Sequence, residues 1–385
     1  TDLLIPVLRP KSSPAARSVE EDRIPAKEAT VADRLYDPAK DFIDTQDYSR
    51  EELTELLDLI ELLKDADKDG ACPELLKDVS LGMIFEEPST RTRVSFEVAM
   101  VKLGGHALYL RPGEIHMGVR ESLYDTAKVL SRMVDVIEAR TLKHDTCVEL
   151  ARWSDVPVIN GLTDINHPTQ AVCDIFTMRE KLGDLAGKTC VFVGDRTNVC
   201  SSTMWITTMF GMHFVHAAPA AYQSPPEWVA EAERNVERYG GSVTVTEDVA
   251  GAVAKADVVY TDLWWWVDQE DEIPERRAAF MPVYQVTPEL MAKAPDHAIF
   301  MHCLPASRNV EVTDAVIDSP QSVVFDQAEN RLHAEKGILV WRTYPRIAHV
   351  SDELRAYHAG RVESFLATAQ WDRVHPSPAP SAQQS

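Results

Sequence analysis

Short apolar runs alternate with amphipathic segments along most of this chain, and that alternation restricts the fold more than any other feature. Residues 81–85, 106–110, 134–140 and 156–160 have the length and apolar content of buried strands. Residues 188–195, 256–262, 298–304 and 322–326 repeat the pattern in the second half. Helical stretches lie between them. After Ser49, Leu53, Leu56, Leu57, Ile60, Leu62 and Leu63 form a core-facing stripe. Residues 122–130 form a second helix, and one opening at His167 and ending near Lys181 bridges the two halves. Strands alternating with helices pair in parallel. The expected fold is α/β: two doubly wound parallel-sheet domains joined by interdomain helices. The expected division is a disordered N-terminal segment over 1–30, domains over 31–165 and 166–345, and a C-terminal helix with a loose tail over 346–385.

The 385 residues are 45% hydrophobic, enough for a sizeable core. A formal charge of −22 opposes binding to nucleic acid or an anionic membrane. No apolar run is long enough to span a bilayer, and the N-terminal apolar piece lacks a basic segment before it. The six cysteines are scattered, with no CxxC and no His/Cys cluster at metal spacing, so no metal is expected. Reduced thiols in a cytoplasm fit this usage. There is no GxGxxG, so no dinucleotide cofactor is expected.

The stretch Glu86–Glu97 carries the densest chemistry. A strand stops at Pro88, and Ser89 or Thr90 caps a helix that continues through Val94, Phe96 and Leu103. Ser89, Thr90, Arg91, Thr92 and Arg93 crowd hydroxyls and guanidinium groups onto one helix start. Free backbone N–H groups, the positive end of the helix dipole and forked Arg donors together suit a small doubly charged oxyanion such as phosphate. Arg93 points elsewhere and has Glu97 four residues on as a plain ion-pair partner.

Other candidates follow. Arg140 is a lone charge at a strand end. His167 and Gln170 share one side of a helix entrance, with Pro168 tolerated at the first helical position. Cys303 follows His302, which suggests a thiolate nucleophile, yet neighbours on a strand face opposite ways. A buried structural Cys, or a binding role for Cys303 and Leu304, are the alternatives. Arg331 is a surface charge by default. Trp264, Trp265 and Trp266 follow a strand and are expected in the core, at a subunit contact, or walling an amine pocket.

Taken in order, Ser89-Thr90-Arg91-Thr92-Arg93, Arg140, His167-Pro168-Thr169-Gln170, His302-Cys303-Leu304-Pro305 and Arg331 resemble the motifs of the aspartate/ornithine carbamoyltransferase superfamily over roughly residues 45–345. Within it the chain is most similar to the putrescine carbamoyltransferases, on 80–85, 191–195, 211–216, 283–286 and 300–306. The resemblance implies carbamoyl transfer from carbamoyl phosphate to a primary amine, with a ureido product and free phosphate. It implies that the first domain binds carbamoyl phosphate and the second the amine. Phosphate would lie on Ser89, Thr90, Arg91 and Thr92, with Arg140. The carbonyl oxygen would be held by Thr92, Arg140 and His167, and the NH2 by Gln170 and the Cys303–Leu304 backbone, with Arg331 completing the site. It implies no cofactor, and a homotrimer with active sites between subunits. His116 stands where a neighbour's Gln usually reaches across.

For the acceptor, Asn198 and Asp262 match two of the three features that grip ornithine. Trp266-Val267-Asp268 stands where the third, a Ser-Met-Gly segment, would be. That favours a diamine such as putrescine, with Asn198, Asp262, Trp266 and Asp268 as amine-binding residues. Ornithine, or a specialised amine of secondary metabolism, is the alternative. A Cys303 hydrolase and a non-catalytic phosphate binder are the rival classes.

Overall fold

Two parallel sheets organise the protein. The computed structural model describes residues 35–348 and 351–368, except the side chains of 267, 268, 367 and 368. The segment 1–30 and the tail from His375, expected to be loose, lie outside the described residues.

The first sheet contains β1 (Ser80–Phe85), β2 (His106–Leu110), β3 (Val136–Arg140) and β4 (Val158–Leu162), in the order β2-β1-β3-β4. Its helices are α1 (Arg50–Lys68), α2 (Thr90–Lys102), α3 (Leu123–Leu130) and α4 (His144–Trp153). Then α5 (Pro168–Leu182) leads to the second sheet: β5 (Thr189–Val193), β6 (His213–Ala217), β7 (Ser242–Thr246), β8 (Val258–Thr261) and β9 (Ile299–His302), ordered β7-β6-β5-β8-β9. Around it lie α6 (Asn198–Met209), α7 (Pro226–Tyr239), α8 (Val249–Val253), α9 (Ile273–Phe280), α10 (Pro288–Met291) and α11 (Asp314–Ile317). The long α12 (Val324–Ile347) and α13 (Asp352–Thr368) finish the described chain. Every strand pairing is parallel, and helices cover both faces of each sheet. The expected doubly wound α/β fold is present.

Side-chain alternation explains the layers. On β5, Cys190 and Phe192 face one apolar cluster, while Val191 and Val193 face another. The first cluster joins β1 and β5 residues to α1, α2, α5, α6 and α12. Helix α5 packs on β4, α6 and α12, and its residues from Pro168 to Met178 are all buried. Helix α12 packs on α1, α2, α5 and β9.

Three expectations about elements need correction. Residues 322–326 are not a strand. Ser322 makes one isolated bridge to Phe300, and α12 begins at Val324, because a good helix-forming run follows directly. Strands β6 and β7 went unpredicted. Two histidines interrupt the apolar run in β6, and the edge strand β7 is Ser/Thr-rich and partly exposed. On α1, Leu62 is 69% exposed, since the packed face is Leu53, Leu56, Leu57, Ile60 and Leu63. Ser49 and Glu52 close a capping box at its start.

Candidate active site

The carboxyl ends of the parallel strands deliver the site, as expected for open α/β sheets. Leaving β1, the chain turns at Pro88, and Ser89 caps α2 by accepting from the Thr92 N–H at 3.4 Å. Arg140 ends β3 and pairs in register with Phe85 at the end of β1. His167 caps α5, and Asp262 follows β8. Cys303 follows β9, and Arg331 reaches in from α12. One cleft is lined by Ser89, Arg91, Thr92, Arg140, His167, Gln170, Asp262, Trp266, Cys303, Leu304 and Arg331, with Leu162, Val199, Leu263 and Pro305 completing the wall. Those four apolar residues were missed, because nothing in the pattern separates them from ordinary core.

Arg331 is the knot of the cleft. It is only 2% exposed, not the surface charge expected. Its Nη1 donates to Gln170 Oε1 at 2.7 Å, and its Nη2 to Thr92 Oγ1 at 3.2 Å and to Glu335 Oε1 at 2.6 Å. Three helices are thereby tied together. Burial opposes its charge most strongly, but Glu335 together with Cys173 and Asp174 more than offsets this and raises its pKa. Arg140, also buried, is lowered to about 10 by desolvation and stays charged at neutral pH. Arg91 is lowered by burial too. The cleft thus concentrates three guanidinium charges, a local basic pocket within a chain of net charge −22.

His167 is neutral. Burial, then the charges of Arg331, Arg140 and Arg91, push it well below the usual imidazole range. Its backbone N–H donates to Ser202 Oγ of α6 at 2.8 Å, and its Nδ1 lies 3.3 Å from Thr169 Oγ1. A neutral imidazole donates one hydrogen bond without adding charge.

Cys303 is not poised as a nucleophile. Its thiol donates to Asp262 Oδ1 at 3.1 Å, and burial followed by that carboxylate pushes its pKa well above the ordinary value. Asp262 also accepts from Leu263 N–H and from Thr197 Oγ1, each at 2.8 Å. His302 is fully buried and does not line the cleft. Its Nε2 donates to buried Glu311 at 3.1 Å, and its Nδ1 accepts the Leu304 N–H at 2.8 Å. That bond holds Leu304 at φ 58°, a conformation uncommon for a side-chain-bearing residue. Sγ of Cys303, a nitrogen of His302 and a carboxylate oxygen of Asp262 lie close together. Both His302 nitrogens are already hydrogen-bonded, so the trio does not offer a free metal-ligand set.

The tryptophans divide their roles. Trp264 is buried and stacks on Phe280, with ring centroids 5.0 Å apart, and its carbonyl accepts from Arg276. Trp265 packs half-buried on the same cluster. Trp266 lines the cleft and also walls an adjoining one, with Glu87, Asp164, Asn198 and Gln269 among its other residues. Asn198 therefore sits next door. Thr90 and His116 are exposed and do not line the cleft of their own chain. The side chain of Asp268 lies outside the described residues. Arg93 pairs with Glu97 at 3.2 Å and covers the Tyr109 ring, the plain role expected of it.

Family models match both halves. Residues 40–180 match the carbamoyl-P binding domain of aspartate/ornithine carbamoyltransferase, and residues 186–342 its Asp/Orn binding domain. The chain is 60% identical over 339 residues to a putrescine carbamoyltransferase of Mycoplasma capricolum, covering 84% of this chain and 92% of that one. It is 51% identical over 300 residues to an ornithine carbamoyltransferase of Symbiobacterium thermophilum, covering 78% and 96%. The solved ornithine carbamoyltransferase of Pyrococcus furiosus superposes with a TM-score of 0.78 at 46% identity, over 81% of this chain and 98% of that one. On motif, fold and matched length alike, the chain belongs to the aspartate/ornithine carbamoyltransferase family.

Proposed function

We propose that this protein transfers the carbamoyl group of carbamoyl phosphate to a primary amine, putrescine first, giving an N-carbamoyl product and phosphate. The observation that carries the reading is three guanidinium groups and a neutral histidine converging at the capped start of α2. Such a cleft binds a dianion and an uncharged carbonyl side by side. Ser89, Thr90, Arg91 and Thr92 take the phosphate with Arg140, Thr90 through its backbone. Thr92, Arg140 and His167 donate to the carbonyl oxygen, and Gln170 accepts from the NH2, beside Cys303, Leu304 and Arg331.

The amine must arrive without its third proton. Its nitrogen lone pair attacks the carbonyl carbon, and negative charge builds on the carbonyl oxygen. The bond between the carbonyl carbon and the bridging oxygen then breaks, and its electron pair leaves with that oxygen as phosphate. Every charged stage faces preorganised donors, so electrostatic stabilisation dominates. The departing phosphate takes up the remaining N–H proton.

Asp262 faces the incoming nitrogen in this reading, and Trp266 with Asn198 and Asp268 guides the amine's tail. The adjoining cleft carries two carboxylates, Glu87 and the Lys143-paired Asp164, beside one cation, Arg196, and Glu87 is the group there that would meet a second ammonium. The relatives named putrescine carbamoyltransferase, at 60% identity against 51% for an ornithine enzyme, support the same choice. The carbamoyl-phosphate domain is read as 31–165 and the amine domain as 166–345. A homotrimer with shared sites fits exposed His116 and Val119 on one loop. Six free cysteines suit a cytoplasmic setting, and no helix among the described residues is long and apolar enough to cross a membrane.

The test is product formation from carbamoyl phosphate with putrescine, ornithine, lysine and other diamines. Putrescine should give the highest kcat/KM. A large preference for ornithine would overturn the reading of Trp266, and turnover on no amine would overturn transferase activity.

A further inference from the structure

Helix α5 carries a second polar side chain that the transfer chemistry does not touch. Asp174 lies one turn beyond Gln170, is fully buried, and does not line the cleft. Three donors end on its carboxylate. Gln170 Nε2 and Gln327 Nε2 reach Oδ1, each at 2.7 Å, and the Tyr260 hydroxyl reaches Oδ2 at 2.9 Å. Each amide is also fixed at its other end. The His302 backbone N–H donates to Gln327 Oε1 at 3.0 Å, and Arg331 Nη1 donates to Gln170 Oε1 at 2.7 Å. An amide held between a guanidinium and a carboxylate has one satisfied orientation, nitrogen to the carboxylate and oxygen to the guanidinium. Gln170 therefore turns an acceptor to the cleft.

We propose that Asp174 is a specificity-determining positioning residue: through the Gln170 amide it makes the acyl end of the site require an N–H donor, so that a carbamoyl group is taken in preference to an acetyl group on the same phosphate. The inference rests on carbamoyl phosphate being the donor, and it adds how that donor is told from its isostere. A carbamoyl NH2 and an acetyl CH3 have nearly the same shape, so steric fit cannot separate them, whereas hydrogen bonding can. Against NH2, the second lone pair of Gln170 Oε1 is satisfied. Against CH3, it is buried on carbon. With the amide reversed, Nε2 would face both Arg331 and the substrate NH2, donor against donor.

The experiment measures, by calorimetry on the full chain, affinities for two inert analogues: phosphonoacetamide, which has the NH2, and acetonylphosphonate, which has a methyl in its place. Wild type should prefer the amide by about tenfold or more, the worth of one buried hydrogen bond. Asp174→Leu, of similar size, removes the oxygen on which the Gln170 NH2 ends, so the amide loses one of its two fixed ends. The preference should fall towards one, with acetonylphosphonate affinity unchanged within about twofold. Gln170→Leu should lose the preference equally, and the double variant should lose no more, because Asp174 acts only through Gln170. Tyr260→Phe removes a donor from Asp174 yet leaves the Gln170 contact, so it should keep the preference while lowering the melting temperature. A purely structural role for Asp174 would instead weaken both analogues together.

Full amide preference in Asp174→Leu overturns the inference. Should that variant fail to fold, amide preference retained in Gln170→Leu overturns it just as well. Wild type binding the two analogues equally also overturns it. Wild type binding neither removes the donor reading itself, a failure distinct from the others.

Discussion

Arg331 shows what one side chain can organise. Its guanidinium bonds to α2, α5 and its own helix, and it lies in the cleft with almost no exposure. Arg331→Ala leaves Glu335 without its cation, so it should destabilise the fold by about 3 kcal/mol as well as lower turnover, read by denaturant unfolding beside kinetics. Arg91 ties nothing together in this way. Arg91→Ala should cost about 3 kcal/mol in kcat/KM and little stability, by loss of a charge-assisted pair with phosphate. Unchanged kinetics would remove Arg91 from the phosphate grip. Cys303→Ser keeps a donor for Asp262 and should retain at least about a tenth of the activity, whereas a thiol enzyme would lose nearly all of it. His167, held neutral by burial and three arginines, should contribute no pH limb near 6.5 to kcat.

The cap-hydroxyl-guanidinium pattern at Ser89–Arg91 was legible from the sequence, because a helix start plus forked donors has few other uses. Arg331 was not. Its burial follows from Glu335 four residues on and from packing on α2 and α5, which no local pattern announces. Asp174 was within reach: it stands four residues from Gln170 on the same helix face.

Elements hold these side chains in register. The turn after β9 depends on His302, which bridges Glu311 and the Leu304 N–H. His302→Phe frees that turn and leaves the buried Glu311 with only the Ser307 N–H. It should lower kcat more than it raises KM and cost about 3 kcal/mol of stability by denaturant unfolding. Helix contact sets a second constraint. A Cβ on Gly337 of α12 would come within 2.3 Å of Ile60 Cγ1 on α1. Gly337→Ala should therefore destabilise the protein, although alanine favours an exposed helix by about 1 kcal/mol. A rise in melting temperature would show that α1 yields easily. Long helices and doubly buried strands were readable because burial writes apolar residues into them. The end of β9 and the start of α12 were blurred, since Val323 and Val324 suit strand and helix core alike. Edge strand β7 was lost because only part of it meets the core.

At the scale of the whole molecule, a buried acid shapes stability. Desolvation raises Asp41 to about 7. Its native state holds a proton that the unfolded chain gives up near pH 4, so stability falls as pH rises from about 4 to about 7. The net charge of −22 acts in the same direction through self-repulsion. The melting temperature should drop between pH 5.5 and pH 8, and Asp41→Asn, which removes that group far from the cleft, should make the drop shallower.

The overall architecture, with α5 as the bridge between the halves, was visible in the order of strands and helices, yet the packing of α12 back on α1, α2 and α5 was not, because that helix returns late in the chain. That return has a consequence for ownership of the cleft. Arg331 grows from the second half of the polypeptide but anchors on Thr92 and Gln170 of the first, while α12 lies along α1, α2 and α5. A protein nicked at the connector near Gly183 would yield two fragments, each with a sheet and neither with the complete cleft. Only their reassociation could restore it, so any event that loosens the seam between them silences the chemistry before either sheet comes apart.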